Sequence, residues 1–489
     1  MARRPGPEGW QHSRSDILKP GKRKQQAANS RQGGIVAGQW YAQALKSHQA
    51  HEWPKAETLY GLALKAYPEH VDSLHMLGVL LAQTGRPAEA AEHIASVLQH
   101  TPDDIEALAN LANTLNLLRR HEEALASLDR LITLDAGNVE AHVSRAESLR
   151  GLGRHEASLA AADLALTLAP GHPRACVTRG NALRRLDRFV EALEELNGVL
   201  AARPAYPEAE NDRGNILFDL RRFDEALDCF DRALGLRPHY TEACFNRANT
   251  LRAMQRFEDA VAAYDALIAA GHANAETLNN RGAAFEMLGR YEDARASYQA
   301  AQQADPGHVM AHLNEALCAF LQGDFAHGWP LYRWRVHAPE ARMSGPVHDS
   351  PAWDGQASLA GKRILLRSEQ GLGDCIQFCR FAPQLASRGA EVILETWPSL
   401  TSLMSRLEGV SRVIPHGEAL PPADFHAWLL DLPGLLGVSL DSIPAQASYL
   451  QAPPGLAKTF TEYLNETLPT RRLRVGLVWS GLVWQCQAQ

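Results

Sequence analysis

At 489 residues the chain is too long for one ordinary hydrophobic core, so it must hold several domains or a repeat array. A hydrophobic share of 45%, a charged share of 21% and a formal charge of −7 describe a globular protein. They give no ground for nucleic acid or acidic substrates as partners. No apolar run approaches the ~18 residues that a spanning helix needs. The seven cysteines, odd in number and without a CxxC pair, argue against a disulfide framework and a zinc site. They point to a reducing, cytoplasmic setting, with no metal and no cofactor expected.

Residues 1–36 are basic (Arg3, Arg4, Arg14, Lys19, Lys22, Arg23, Lys24 and Arg31) but no apolar core follows them. The segment is therefore not a secretory signal and reads as a solvated, disordered tail, with a patch for anionic surfaces as the alternative.

A period of 34 governs the next 300 or so residues. Small residues recur at Ala44, Gly78, Ala112, Ala146, Gly180, Gly214, Ala248, Gly282 and Ala316. A second set runs Ala56, Ala90, Ala124, Ser158, Ala192, Ala226, Ala260 and Ala294, and prolines recur at Pro68, Pro102, Pro170, Pro204, Pro238 and Pro306. The spacing predicts nine helix-turn-helix units starting near Ala37, Val71, Ile105, Val139, Pro173, Pro207, Thr241, Ala275 and Val309. Small residues let the two helices of a unit approach closely. Larger residues such as Tyr60, Ile94, Leu128, Phe230, Tyr264 and Tyr298 fill the space behind that contact. Proline ends the second helix, and stacking buries the apolar faces that one unit cannot bury alone. The pattern over residues 37–335 resembles the tetratricopeptide (TPR) repeat family, a right-handed α-solenoid. The ninth unit departs from it at Gly328 and Pro330, so Trp329, Tyr332 and Trp334 are expected to pack against the following domain.

Two polar ladders follow the period: Asn110, Asp212, Asn246, Asn280 and Asn314, and three places later Asn113, Asn181, Asn215 and Asn249. An amide donates and accepts, so a row of them can hold an extended peptide backbone in the concave groove. The row is similar to the asparagine ladder of the O-GlcNAc transferase superhelix. The alternative is bonding between neighbouring units. Beside it run Arg145, Arg179, Arg213, Arg247 and Arg281, with Glu140, Glu208, Glu242 and Glu276 five residues upstream of four of them, which points to ion pairing between units over the alternative of anion binding.

Residues 336–360 form a Pro- and Gly-rich linker, after which the pattern changes class. KRILLRS (362–368), EVILETW (391–397), SRVIP (411–415) and HAWLLDL (426–432) read as strands, with a helical stretch after GLGD (371–374) reaching about Ser387. Strands alternating with helices predict a parallel sheet with ligands at its carboxyl edge. Ile376 stands where a dinucleotide fingerprint needs its third glycine, which argues against NAD or FAD. Cys375 and Cys379 read as packing residues.

The residues W353-D-G355, L359-A-G-K362, EQGLGDCIQFCRF (369–381) and LRVGLVWSG (473–481) are similar to GT-B glycosyltransferases of the heptosyltransferase type, especially bacterial proteins that fuse TPR arrays to such a domain. The resemblance implies that 361–471 is a Rossmann-like half. It also implies that Asp374 is the general base, that Gly371 and Gly373 admit an acceptor, and that Glu369, Gln370, Gln377 and Arg380 line the cleft. Beside this stands a plainer reading of Asp374 as a first-turn acid favouring the helix N-terminus. Residues 472–489 resemble only the opening strand of the second half, which in the family holds the nucleotide sugar. The expectation is therefore a truncated chain that does not transfer sugar. The competing reading is a pure interaction scaffold. A chaperone adaptor that clamps a terminal carboxylate ranks last.

Overall fold

The computed structural model describes residues 20–338, 348–445, 449–452 and 454–467. The tail before residue 20 and the opening strand expected in 472–489 lie outside them. Two compact units divide the chain between Ala243 and Cys244 and are taken in turn.

The first unit pairs α1 (Pro20–Gln49) with α2 (Trp53–Ala66), α3 (Val71–Gln83) with α4 (Pro87–His100), and α5 (Ile105–Leu117) with α6 (His121–Leu134). It continues with α7 (Val139–Gly151) and α8 (His155–Leu168), α9 (Pro173–Arg185) and α10 (Phe189–Ala202), and α11 (Pro207–Asp219) and α12 (Phe223–Leu236). Residues 20–36, expected as tail, lie within α1. The side chain of the residue before it caps the first helix (A) of four pairs, at His70, Asp104, Asn138 and His172. Asp104 and Asn138 each accept a backbone N–H from three residues on, at 3.0 Å. Between the helices of each pair the chain turns through the left-handed region at one repeat position: His51, Gly85, Arg119, Gly153, Asp187 and Arg221 all have φ near +58° to +82°. Glycine adopts this conformation freely and the others do so at a cost.

The small residues do what the period requires. A Cβ on Gly78 would sit 2.5 Å from Cγ1 of Ile94, and one on Gly214 would sit 2.6 Å from the ring of Phe230. Ile94 and Phe230 are fully buried. Within the unit, A helices approach the A helices of adjoining pairs more closely than second helices (B) approach one another, which puts the A layer on the inside of the curve.

The second unit opens in α13 (Thr241–Ala253) and continues with α14 (Phe257–Ala269), α15 (Ala275–Met287), α16 (Tyr291–Ala304), α17 (Val309–Leu321) and the short α18 (Phe325–Tyr332). Gly282 faces Tyr298, 2.5 Å from where its Cβ would be. Beyond lies a sheet of four parallel strands, β1 (Arg363–Arg367), β2 (Glu391–Thr396), β3 (Val410–Pro415) and β4 (Phe425–Trp428), in the order β3-β2-β1-β4. All four expected strands form. The fourth is shorter than the apolar run predicts: Leu429 to Leu432 leave the sheet and turn into the core, and Pro433 opens a short helix that a strand could not continue through.

The helical stretch after the glycine turn is two helices, α19 (Leu372–Phe378) and α20 (Ala382–Ser387), joined by a 3₁₀ turn, with Pro383 in the first turn of α20. Ile364, Leu366, Val392 and Leu394 pack on one side of the sheet with Cys375, Cys379, Phe381 and Leu385. Leu365, Ile393 and Ile414 pack on the other with Leu420 and Ala423.

Part of the expected linker belongs to this core. Ala352 bridges in parallel to His426, and Trp353 is buried with its indole N–H donated to the carbonyl of Ala357 at 2.9 Å. Of the three aromatic residues expected to face the sheet domain, Trp329 contacts Phe378 and the Gly434 turn, and Tyr332 packs on the core cluster. Trp334 does otherwise: it stacks flat on His312 of α17 at 4.0 Å, because the chain after Tyr332 tightens into a 3₁₀ turn.

Candidate functional site

The asparagine ladders lie on the A helices. In the first unit Nδ2 of Asn110 meets Nε2 of His75 at 2.9 Å, Oδ1 of Asn113 accepts from the Ser144 hydroxyl at 3.1 Å, and Nδ2 of Asn181 donates to Asp212 at 2.6 Å. In the second unit Nδ2 of Asn280 donates to Oδ1 of Asn249 at 3.1 Å, and Nδ2 of Asn314 donates to Oδ1 of Asn279 at 3.0 Å. Every one of these bonds joins one repeat to the next, so the amides stitch the array together. Each bond occupies one end of an amide. Asn113, which is exposed, is bonded to Ser144 through Oδ1, and that bond leaves its Nδ2 hydrogens unused. Asn215 and Asn246 are half-buried on the same helix face.

A cavity of about 340 Å³ opens beside Asn113, lined also by Asn116, Leu117, His121, Glu147, Arg150 and Arg174. Arg174 donates to Glu140 at 2.7 Å and to Glu147 at 2.6 Å. Asn116, Arg150 and Arg174 escaped sequence reasoning. The signal was there, since residues 2, 9 and 12 of each unit share the face that the ladders mark. Asp212 sits on it too: burial pushes its carboxyl up to about 6 against the pull of Asn181, Arg150 and Arg184.

Part of the arginine stripe pairs between units, though not with the upstream glutamates, while Arg213 pairs within its own helix with Glu210 at 2.8 Å. Arg145, Arg179 and Arg281 reach Asp129, Asp163 and Asp265 on the preceding B helix at 2.7 to 2.8 Å. Glu140 and Glu208 instead pair with Arg174 and Arg237.

At the carboxyl end of β1 the chain passes through Ser368, Glu369 and Gln370, which has φ +58°, into α19. Asp374 accepts the N–H of Gly371 at 3.0 Å, closing the helix cap. A Cβ on Gly373 would meet nothing within 4 Å. Glu369 does not line a cleft. It is 1% exposed and pairs with the Arg335 guanidinium, which also donates to Asp431 at 2.7 Å. Gln377 and Arg380 share an apolar pocket of about 200 Å³ with Trp329, Phe378 and Phe381, and Arg380 lies 4.5 Å from the centre of the Tyr449 ring. Glu369, Gln370, Gly371, Gly373 and Asp374 are not in its lining, so the seven expected residues do not converge on one cavity.

Behind the turn runs a polar chain that sequence could not show. The Ser368 hydroxyl meets Nε2 of His416 at 2.9 Å, Nδ1 of His416 meets Glu395 at 3.2 Å, and Arg367 donates to the other Glu395 oxygen at 2.7 Å. Burial raises the Glu395 carboxyl pKa, but His416 and Arg367 outweigh it and hold the group below its ordinary value. Ser368 has no exposed surface, so the chain clamps the ends of three strands and presents no nucleophile. Among the described residues no group of His, Cys, Asp and Glu side chains could hold a metal ion.

Family models described as tetratricopeptide repeat match residues 47–115, 81–145, 207–240, 245–309 and 288–327. The chain carries tetratricopeptide repeats. It is 27% identical over 185 residues to protein FlbA of Caulobacter vibrioides, a match covering 33% of this chain and 29% of FlbA. It therefore spans less than a third of that relative's length. A tetratricopeptide repeat protein of Parabacteroides merdae superposes with a TM-score of 0.42 at 18% identity, over 51% of this chain and 98% of the other. For the Cut9–Hcn1 hetero-tetramer the values are 0.44 and 15%, over 54% and 52%. A thermophilic TPR protein of Thermus thermophilus gives 0.34 and 24%, over 37% and 98%. No described helix is long and apolar enough to cross a membrane.

Proposed function

We propose that the chain is a protein-binding scaffold whose A-helix face takes an extended polypeptide segment. The observation that carries this reading is Asn113: its acceptor is bound to the next unit, and its unused donor stands beside a 340 Å³ cavity on the inner layer. A backbone carbonyl of a bound peptide could accept from that donor. Asn113→Ala should weaken binding of a defined peptide several-fold without moving the unfolding midpoint by more than the loss of one bond to Ser144, about 1 kcal/mol. Unchanged affinity in Asn113→Ala would remove the support this residue gives. The described cysteines are free and mostly buried, which suits a cytoplasmic setting.

The α/β module carries a second reading. Its glycine turn stands at the carboxyl end of the first strand, the usual ligand position in an open parallel sheet, and Gly373 leaves that approach open. On the resemblance to GT-B enzymes, the module is a Rossmann-like half that holds an acceptor, with Asp374 as base and a nucleotide sugar as donor. To act so, Asp374 must give up the Gly371 N–H or share its free oxygen. Binding of a sugar acceptor by the purified chain without turnover of a nucleotide sugar, the binding weakened in Asp374→Asn, would support this reading. No binding of an acceptor or of a nucleotide sugar would leave the scaffold alone.

A further inference from the structure

Four large apolar side chains stand in solvent on the A helices of the second unit: Met287 and Leu321 at 64%, Leu317 at 46% and Met310 at 42%. Met310, Leu317 and Leu321 follow one another at steps of seven and four along α17, which puts them on one stripe with Asn314 between them. Leu321 occupies the repeat position that Met287 holds on α15. The repeat does not ask for this. The position of Met310 is charged in seven other repeats (Asp72, Glu106, Glu140, Arg174, Glu208, Glu242 and Glu276) and Gly38 in the first, and that of Leu317 is polar in five (Asn113, Glu147, Asn181, Asn215 and Asn249) and Leu45, Val79 and Ala283 in the others. Both positions are therefore compatible with charge or amide, and the apolar choice in the last full repeat serves something other than the core. Exposed apolar side chains gathered on one face mark an interaction surface, and methionine adapts to varied partners.

The charge beside the patch defines the partner. Glu276, at the position of Met310 one unit earlier, is exposed and pairs with no cation among the described residues. Neighbouring A helices lie about 8–10 Å apart, which is about three residues of extended chain at ~3.3 Å each. Asn279 and Asn280 are bonded at both amide ends, and what remains alongside for the intervening backbone is Nδ2 of Asn249 as donor and Oδ1 of Asn314 as acceptor.

We infer that this face binds an extended peptide carrying a basic residue about three positions from a large aliphatic one, with the cation at Glu276 and the aliphatic side chain on Met310, Leu317 and Leu321. The inference rests on the scaffold reading and names the partner it selects.

The test uses the full chain and three labelled dodecamers in a Ser/Gly background: one with Lys and Leu three apart, one with Glu for Lys, and one with Ser for Leu. Fluorescence anisotropy at physiological salt should show the Lys/Leu peptide binding about tenfold tighter than either control, a difference of 1.4 kcal/mol. Leu317→Asp/Leu321→Asp should abolish the preference for leucine, and Glu276→Lys should turn the charge preference toward the Glu peptide. The substituted side chains are about half exposed, so folding is retained, and the Glu276→Lys arm does not touch the patch. Equal binding of all three peptides, weakened by Asn249→Ala but not by Leu317→Asp/Leu321→Asp, would overturn the inference and leave the scaffold reading in place. Concentration-dependent self-association lost in Leu317→Asp/Leu321→Asp would overturn it in favour of a second copy as occupant. Binding of none of the peptides, together with no effect of Asn113→Ala on any ligand, would count against both.

Discussion

Arg335→Met isolates the contact that ties the end of the repeats to the sheet within the second unit. The Arg335 side chain is 6% exposed, and its carboxylate partners Glu369 and Asp431 are 1% and 10% exposed. Methionine keeps most of the volume and the apolar stem but leaves two like charges buried together. Removing one member of a buried ion pair costs about 3–5 kcal/mol. For a unit of this size each kcal/mol shifts the midpoint by about 2–4 °C, so the sheet-bearing unit should unfold roughly 10 °C earlier at pH 7. Burial already raises the Glu369 carboxyl pKa in the intact protein, and the arginine opposes that rise. Without the arginine the folded-state pKa climbs further above the unfolded one. Stability from such a group is fully present below the unfolded pKa and is lost as pH rises through the folded pKa. The deficit should therefore shrink on acidification toward pH 5, and Arg335→Met/Glu369→Gln should recover much of it at pH 7. Differential scanning calorimetry of the three proteins decides the matter. A shift below about 3 °C, or a double variant no better than the single one, would refute the reasoning.

Three further outcomes follow from single side chains. Arg119→Gly relieves a left-handed residue that costs about 1–2 kcal/mol. After the extra chain entropy of glycine it should stabilise the first unit by roughly 0.5 kcal/mol in urea titration. Asp212→Asn removes a carboxyl whose pKa is raised by burial to about 6. Because the protonated form is the one favoured in the fold, the substitution should stabilise the protein above pH 6 by about 1–3 kcal/mol and change little below pH 4. Phe230→Ala empties the space that Gly214 leaves for the ring and should cost about 3–5 kcal/mol, read by chemical denaturation.

Much of the array was legible because its signals are local and repeated. Gly78, Gly180, Gly214 and Gly282 each meet a large residue sixteen places on, Ile94, Leu196, Phe230 and Tyr298, and one period sets both. The strands were legible from short apolar runs, and β4 was overread because Leu429 to Leu432 continue the run while the backbone leaves the sheet. Pairing was the part that could not be read. Arg145 has acids both five residues and sixteen residues upstream, and only the geometry of stacked helices selects the second. Glu369 belonged to a motif, but its partner Arg335 is fixed by how the last repeat docks. The chain from Ser368 through His416 to Glu395 draws on three strands brought together by the sheet alone. The glycine turn shows the same limit: spacing placed Asp374 in the first turn of a helix, and the structure gives it the Gly371 N–H to hold.

The central claim is that the inner, A-helix face holds polypeptide. Site-specific photo-crosslinking tests it most directly, with a benzoylphenylalanine placed in turn at Asn113, at Asn249 and at Glu194, an exposed residue of a B helix. The protein is irradiated with a pool of defined unstructured peptides. The account predicts adducts from Asn113 and Asn249, competed away by unlabelled peptide, and background alone from Glu194. Adducts equal at all three positions, or from Glu194 only, would contradict it.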